Sequence, residues 1–320
     1  MPHKRIYFDT NIYAIVKKHL KDQAADYDLI KRAIKLDFIL IPGSFAVLEE
    51  ALPIYRSKSP TIFALEKQTY AEIMDWQVFI KPHADLLRDE IVAYINKTHF
   101  IPFTTSYKIT PDIWFSKGHA QSNQVLQTLP MIEADKKKFS GGLNNIQQTF
   151  EQGFQQLEKK EKEKMTVVWV WETLAKGLAE DIASRYGLQN LTGPQIEGLL
   201  NLRCLGTVVR YGIAYIYRKC RFSEKITPSD SRDYHHVVLS AATDIFVTED
   251  GRFAQLLRQM PIPNYTVWSY KQFIKWLSNG MVRWSRFDGH QCGLENKRHD
   301  HEKEIFQFIS PAGQDDPTQI

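Results

Sequence analysis

Two short apolar runs from opposite ends of the chain each lead into acid: Ile6-Tyr7-Phe8 stops at Asp9, and Ile245-Phe246-Val247 is followed by Thr248-Glu249-Asp250. Runs this short, bounded by polar residues, read as strands. In an open α/β sheet, ligands gather beyond the carboxyl ends of the strands, which is where both acids stand. A third, Asp233, lies at the start of a helix leading into the second strand. Such a helix runs antiparallel to the strands, so its N-terminus faces the same edge.

The intervening sequence supports that placement. Strand Arg5 to Phe8, helices at about Thr10 to Leu20 and Tyr27 to Leu36, and strand Phe38 to Ile41 form an α/β rhythm, and a further helix opens after Pro42-Gly43-Ser44. An amphipathic helix over 60–76, a short strand Val78 to Ile80 and a helix Ala84 to Ile95 follow. The rhythm resumes near residue 229 with a helix to about Ala242, strand Ile245 to Thr248, a helix from about Arg252, strand Tyr265 to Trp268 and a helix Ser269 to Leu277. Residues 97–228 are strand-poor, with helical stretches at Asn144 to Tyr186 and Gly193 to Arg221. The expected organisation is thus a core of 1–96 plus 229–285, a helical insertion over 97–228, and a partly disordered tail over 286–320. The run Glu158 to Lys164 alternates sign at helical spacing and reads as a solvated face.

Composition bounds the function only loosely. At 320 residues and 43% hydrophobic content the chain can bury one large core or two modest ones. No apolar stretch approaches a membrane span, and the start lacks the long apolar run of a signal peptide, so a cytoplasmic protein without a membrane partner is expected. Cys204, Cys220 and Cys292 are too few and too scattered for a disulfide framework and read as reduced thiols. A net charge of +4 favours nucleic acid only slightly.

Glu50 and its neighbour Glu49 lie on the helix after the second strand, and a glutamate there can lean back toward the sheet edge. Taken singly, each acid has an ordinary structural explanation: Asp9 caps a helix, Asp233 starts one, and Asp250-Gly251 makes a turn. Together they repel one another unless a cation neutralises them. Asp9, Glu50, Asp233 and Asp250 are therefore expected to form a hard-oxygen site for Mg²⁺ or Mn²⁺, with Glu49, Asp230 and Glu249 close enough to share or replace a ligand.

Phe8-Asp9-Thr10-Asn11-Ile12, Ser44-Phe45-Ala46-Val47-Leu48-Glu49-Glu50, Asp233-Tyr234-His235-His236-Val237 and Asp244-Ile245-Phe246-Val247-Thr248-Glu249-Asp250 resemble, in that order, the motifs of PIN-domain nucleases. The resemblance covers 1–96 and 229–280. It implies a three-layer α/β/α core with a central, mostly parallel sheet and metal-dependent endonucleolytic hydrolysis of single-stranded RNA. The four acids map onto Asp9, Glu50, Asp233 and Asp250, with Glu50 preferred over Glu49 because its distance from Ser44 suits the family spacing. Pairing into a homodimer, and an inhibitory protein partner, are further expectations carried by the resemblance alone. The long middle block departs from the compact members of the family.

Thr10, Asn11 and Thr248 are expected to orient the carboxylates or to contact phosphate. His235 and His236 offer proton transfer, although a histidine in such a helix more often packs internally. Arg203 and Arg210 share a helix face with Arg218, Lys219 and Arg221 beyond them and Tyr211, Tyr215 and Tyr217 interleaved. That pattern suits either gripping RNA or a tyrosine core with arginines reaching outward. Arg283, Trp284 and Arg286 pose the same choice, and His290, Cys292, His299 and His301 fit no closed zinc pattern. A haloacid-dehalogenase-like phosphatase would need Asp at position 11, where Asn stands. A PIN-fold RNA-binding or assembly module with little turnover, and a structure-specific DNA nuclease, are the competing readings.

Overall fold

The computed structural model describes residues 3–51, 59–107, 109–115, 166–222, 230–259 and 266–288, together with 148, 152 and 156. The run 158–164 and the histidines and cysteine of the tail lie outside the described residues, as do the side chains of Lys219, Asp230, Arg283, Trp284 and Arg286.

Strand β1 (Lys4–Phe8) leads into α1 (Thr10–Lys21) and α2 (Ala25–Lys35), then β2 (Ile39–Leu40), β3 (Pro42–Gly43) and α3 (Phe45–Ala51). Next come α4 (Pro60–Ile73), β4 (Asp75–Ile80), α5 (His83–Asn96), β5 (Phe103–Thr104) and α6 (Pro111–Trp114). The middle block contributes α7 (Val167–Arg185), α8 (Gly193–Leu200) and α9 (Arg203–Phe222). The chain closes with α10 (Asp230–Ser240), β6 (Ile245–Val247), α11 (Gly251–Gln259), β7 (Thr266–Trp268) and α12 (Tyr270–Asp288). The class is α/β, with a mostly parallel central sheet flanked by helices.

The central sheet runs β2-β1-β6-β7 and is parallel throughout; Ile6 pairs with Ile245 and Phe8 with Val247. This register places the chain's first and last thirds side by side and aligns the ends of β1 and β6. The strand expected over Phe38 to Ile41 is present as β2, and a second short strand that was not expected, β3, follows it in a different sheet. Pro42, which has no N–H to continue the ladder, begins β3 beside β4 in a second sheet of order β3-β4-β5, while the Ile41 carbonyl accepts from Asp75 N–H at 2.7 Å. The core lies under β1 and β6: Ile6, Phe8, Ile12, Phe246 and Val247 are buried, and Phe8 meets the Tyr13 and Phe273 rings edge-on.

Residues 1–274 form one compact unit, and a second begins inside α12 at Lys275. The described part of the second unit is the remainder of that helix, which runs on to Asp288 rather than ending near Leu277. Helices of the middle block belong to the first unit, where α9 packs against α5, α7, α10 and α11. The expected helix Gly193 to Arg221 is broken at Asn201-Leu202, because the carboxylate of the buried Glu90 on α5 caps a new N-terminus there. It accepts from Cys204 N–H at 2.9 Å and Leu205 N–H at 2.8 Å. Gly206 completes the break: a Cβ there would stand 2.4 Å from the Leu200 carbonyl oxygen and 2.6 Å from Arg210 Nη1. No helix among the described residues is long and apolar enough to cross a membrane.

Replacing Glu90 with Ala strands two buried N–H groups and removes two charge-assisted bonds, so a loss of about 3 kcal/mol is expected in chemical denaturation. An unchanged midpoint would show that the cap does not fix α9.

Candidate metal centre

Asp9 follows β1 directly, and its N–H donates to the Val247 carbonyl at 3.0 Å, so the ends of β1 and β6 are pinned together before any side chain is considered. Asp9 is buried, and both oxygens of its carboxylate accept hydrogen bonds. Oδ1 accepts from Thr10 N–H at 2.7 Å, and Oδ2 accepts from Asn11 Nδ2 and the Thr248 hydroxyl, both at 2.7 Å. Asn11 uses both ends of its amide, since Oδ1 accepts from Glu249 N–H at 3.2 Å. An aspartate at position 11 would lose that donor and repel Asp9.

Glu50 reaches back from α3 as its helical position suggested. Its Oε2 accepts from the Thr10 hydroxyl and lies 3.3 Å from His236 Nε2, and its Oε1 lies 3.4 Å from Arg232 Nε. Thr10 therefore serves both acids, its amide on Asp9 and its hydroxyl on Glu50. His236 on α10 is buried, with Nε2 3.8 Å from Asp9 Oδ1 and Nδ1 2.7 Å from the Tyr7 hydroxyl, which in turn lies 3.3 Å from Ser44 Oγ. Asp9, Glu50 and His236 thus place ligand atoms within 4.8 Å of one another, a donor set that can hold a metal ion.

The other acids stand differently. Asp233 is half-buried in the first turns of α10, and its charge acts on His236, but its ligand atoms are outside the group of three. Asp250 is exposed; its N–H donates to Thr248 Oγ1 at 3.0 Å, and its carbonyl accepts the opening bond of α11 from Ala254. Glu249, a candidate substitute ligand, is occupied elsewhere: its Oε1 accepts from Tyr270 N–H at 2.6 Å and caps α12. Glu49 is half-buried on α3 and also outside the group of three.

Two members of the arginine stripe make contacts within the protein. The Arg203 guanidinium donates to the Thr243 carbonyl, and Arg210 donates to the Leu200 carbonyl at 2.8 Å while lying 4.8 Å over the Trp171 ring. Both tie the break between α8 and α9 to its neighbours. Tyr211 and Tyr215 are buried and stacked at 5.7 Å, as the core alternative required. Arg218 is half-buried and Arg221 exposed.

No protein-family model, curated protein or solved structure matches this chain.

Burial by itself would raise the Glu50 carboxyl, but the bond and charge of His236, the Thr10 hydroxyl and Arg232 outweigh it and hold it down at about 2. Burial pushes His236 downward, yet its bond to Glu50 and the charges of Asp9, Glu50 and Asp233 prevail and raise it. Tyr7, buried beside both acids, stays a neutral phenol. His236 is packed internally, as one of its two expected roles required, but its contacts with Glu50, Asp9 and the Tyr7 hydroxyl, and that of Arg232 with Glu50, join residues too far apart in sequence for spacing to show.

A carboxyl lowered in the fold contributes stability that is present above its ordinary 4.5 and is lost as pH falls toward about 2. A raised histidine contributes stability that is present below its ordinary 6.5 and is lost as pH climbs through the raised value. Metal-free protein should therefore melt at lower temperature on both flanks. His236→Gln should abolish the alkaline loss, and a wild-type profile flat across both ranges would refute the pairing.

Proposed function

We propose that this protein is a PIN-like, divalent-metal-dependent nuclease that hydrolyses phosphodiester bonds of single-stranded RNA at the edge of the parallel sheet. The observation that carries the reading is the convergence of Asp9, Glu50 and His236 on one buried point beyond the ends of β1 and β6. Two carboxylates and an imidazole are a donor set that suits Mn²⁺, and the carboxylates suit Mg²⁺. A bound ion would supply Lewis-acid polarisation of the phosphate and a more acidic water.

The chain's own groups have separable tasks. Asp9 is held by three donors from two strand ends, Thr10 N–H, Asn11 Nδ2 and the Thr248 hydroxyl, so its oxygens are fixed before substrate arrives. Glu50, held at about 2, is a poor proton acceptor at neutral pH and serves as a ligand. Thr10, Asn11 and Thr248 position these two carboxylates. Asp233 and Asp250 add negative charge at the rim, where they would help to hold a hydrated ion. Arg232, 45% exposed and beside Glu50, stands where a phosphate's charge would need balancing. Arg221 and Arg218 remain candidates for the RNA track.

One observation favours the non-catalytic module: every oxygen of Asp9 and Glu50 already faces a donor from the protein, so the network is satisfied without an ion. A single assay separates the two. Purified protein is expected to cut labelled single-stranded RNA in Mn²⁺ or Mg²⁺ and not in EDTA, and Asp9→Asn should reduce cutting by at least roughly 100-fold. RNA binding without cutting in any metal would select the module instead.

A further inference from the structure

We infer that His236 is itself a metal ligand, through Nε2, so that the centre is a mixed nitrogen and oxygen site that prefers transition-metal dications such as Mn²⁺ or Co²⁺ to Mg²⁺. The inference rests on the metal-dependent reading above and assigns the ion's third ligand and its selectivity.

Three features of the side chain carry it. First, His236 is 3% exposed and sits at the floor of the site, so its Nε2 faces the two carboxylates and not solvent. An ion with bonds of about 2.1 Å spaces adjacent donors about 3 Å apart and opposite donors about 4.2 Å apart. The separations of 3.3 Å from Nε2 to Glu50 Oε2 and 3.8 Å to Asp9 Oδ1 lie between those limits.

Second, the far side of the ring is held as a ligating histidine requires. Nδ1 is 2.7 Å from the Tyr7 hydroxyl, and that hydroxyl is 3.3 Å from Ser44 Oγ. When Nδ1–H donates to Tyr7 and Tyr7 donates onward to Ser44, each group has one role and the Nε2 lone pair is left facing Asp9 and Glu50. Such an outer partner fixes ring orientation and tautomer at metal sites.

Third, the carboxylates retain capacity on that side. Asp9 Oδ1 takes only the Thr10 N–H bond and so keeps one lone pair, while Oδ2 takes two. The direct contact of Nε2 with Glu50 is 3.3 Å, longer than the roughly 2.7–2.9 Å of a well-formed charged pair, so the ring and the carboxylate stand slightly apart. An imidazole nitrogen is a better donor to first-row transition-metal dications than to Mg²⁺, which prefers oxygen and keeps its waters.

The test is pulsed electron paramagnetic resonance on Mn²⁺-loaded full-length protein, with Mn²⁺ and Mg²⁺ affinities measured by calorimetry. Wild type should show nitrogen modulation from a coordinated imidazole, and labelling histidines with ¹⁵N should shift it. His236→Gln should remove the modulation and lower the ratio of Mn²⁺ to Mg²⁺ affinity by at least about 10-fold, and Tyr7→Phe should keep the modulation while weakening Mn²⁺ binding by roughly 10- to 100-fold. If His236→Gln does not fold, the wild-type and ¹⁵N spectra decide. Mn²⁺ binding that Asp9→Asn abolishes but that shows no nitrogen modulation would overturn the inference and leave an all-oxygen site; no Mn²⁺ binding would overturn the metal reading as well.

Discussion

The Asp9 carboxylate takes hydrogen bonds from Thr10 and Asn11 at the end of β1 and from Thr248 at the end of β6, two segments that the sequence separates by most of its length. A buried carboxylate without such donors would be strongly penalised, so these bonds are what allow an acid to sit at the mouth of an apolar sheet. They also lock the register of β1 on β6, because only one alignment presents Thr248 to Asp9. Everything at the site follows from that lock: Thr10 is placed to hold Glu50, and α10 is placed to bring His236 and Asp233 over the same edge.

Charge compensation is the second constraint. Asp9 and Glu50 approach each other in a largely buried setting, and the protein answers with His236 and Arg232. An imidazole between two carboxylates balances charge whether it carries a proton or shares an ion with them. The same geometry therefore serves a stable metal-free fold and a proposed metal centre, which explains why each oxygen of Asp9 and Glu50 faces a donor group.

The fold class and the sheet edge were legible because the strands are short, apolar and followed by acids, a pattern that few other arrangements satisfy. Helix positions followed from periodicity, and the choice of Glu50 over Glu49 needed the resemblance, since periodicity does not separate adjacent residues. The second strand at Pro42–Gly43 was hidden because a two-residue strand carries no period. Glu90 was invisible as a cap, because its partners, Cys204 and Leu205, are far along the chain. Spacing placed the arginines on one helix face, but the contacts of Arg203 and Arg210 with the Thr243 and Leu200 carbonyls are decided by packing. His236 was seen as a residue and missed as a centre, because its role depends on Tyr7 and Ser44 from two other segments.

The account's central claim is that a divalent ion binds among Asp9, Glu50 and His236. Anomalous diffraction from a crystal of the full-length protein soaked in Mn²⁺ tests it most directly. A peak in bonding contact with the Asp9 and Glu50 carboxylates, absent in Asp9→Asn, is the predicted result. An ordered site with the present hydrogen bonds intact and no peak between these side chains would contradict it.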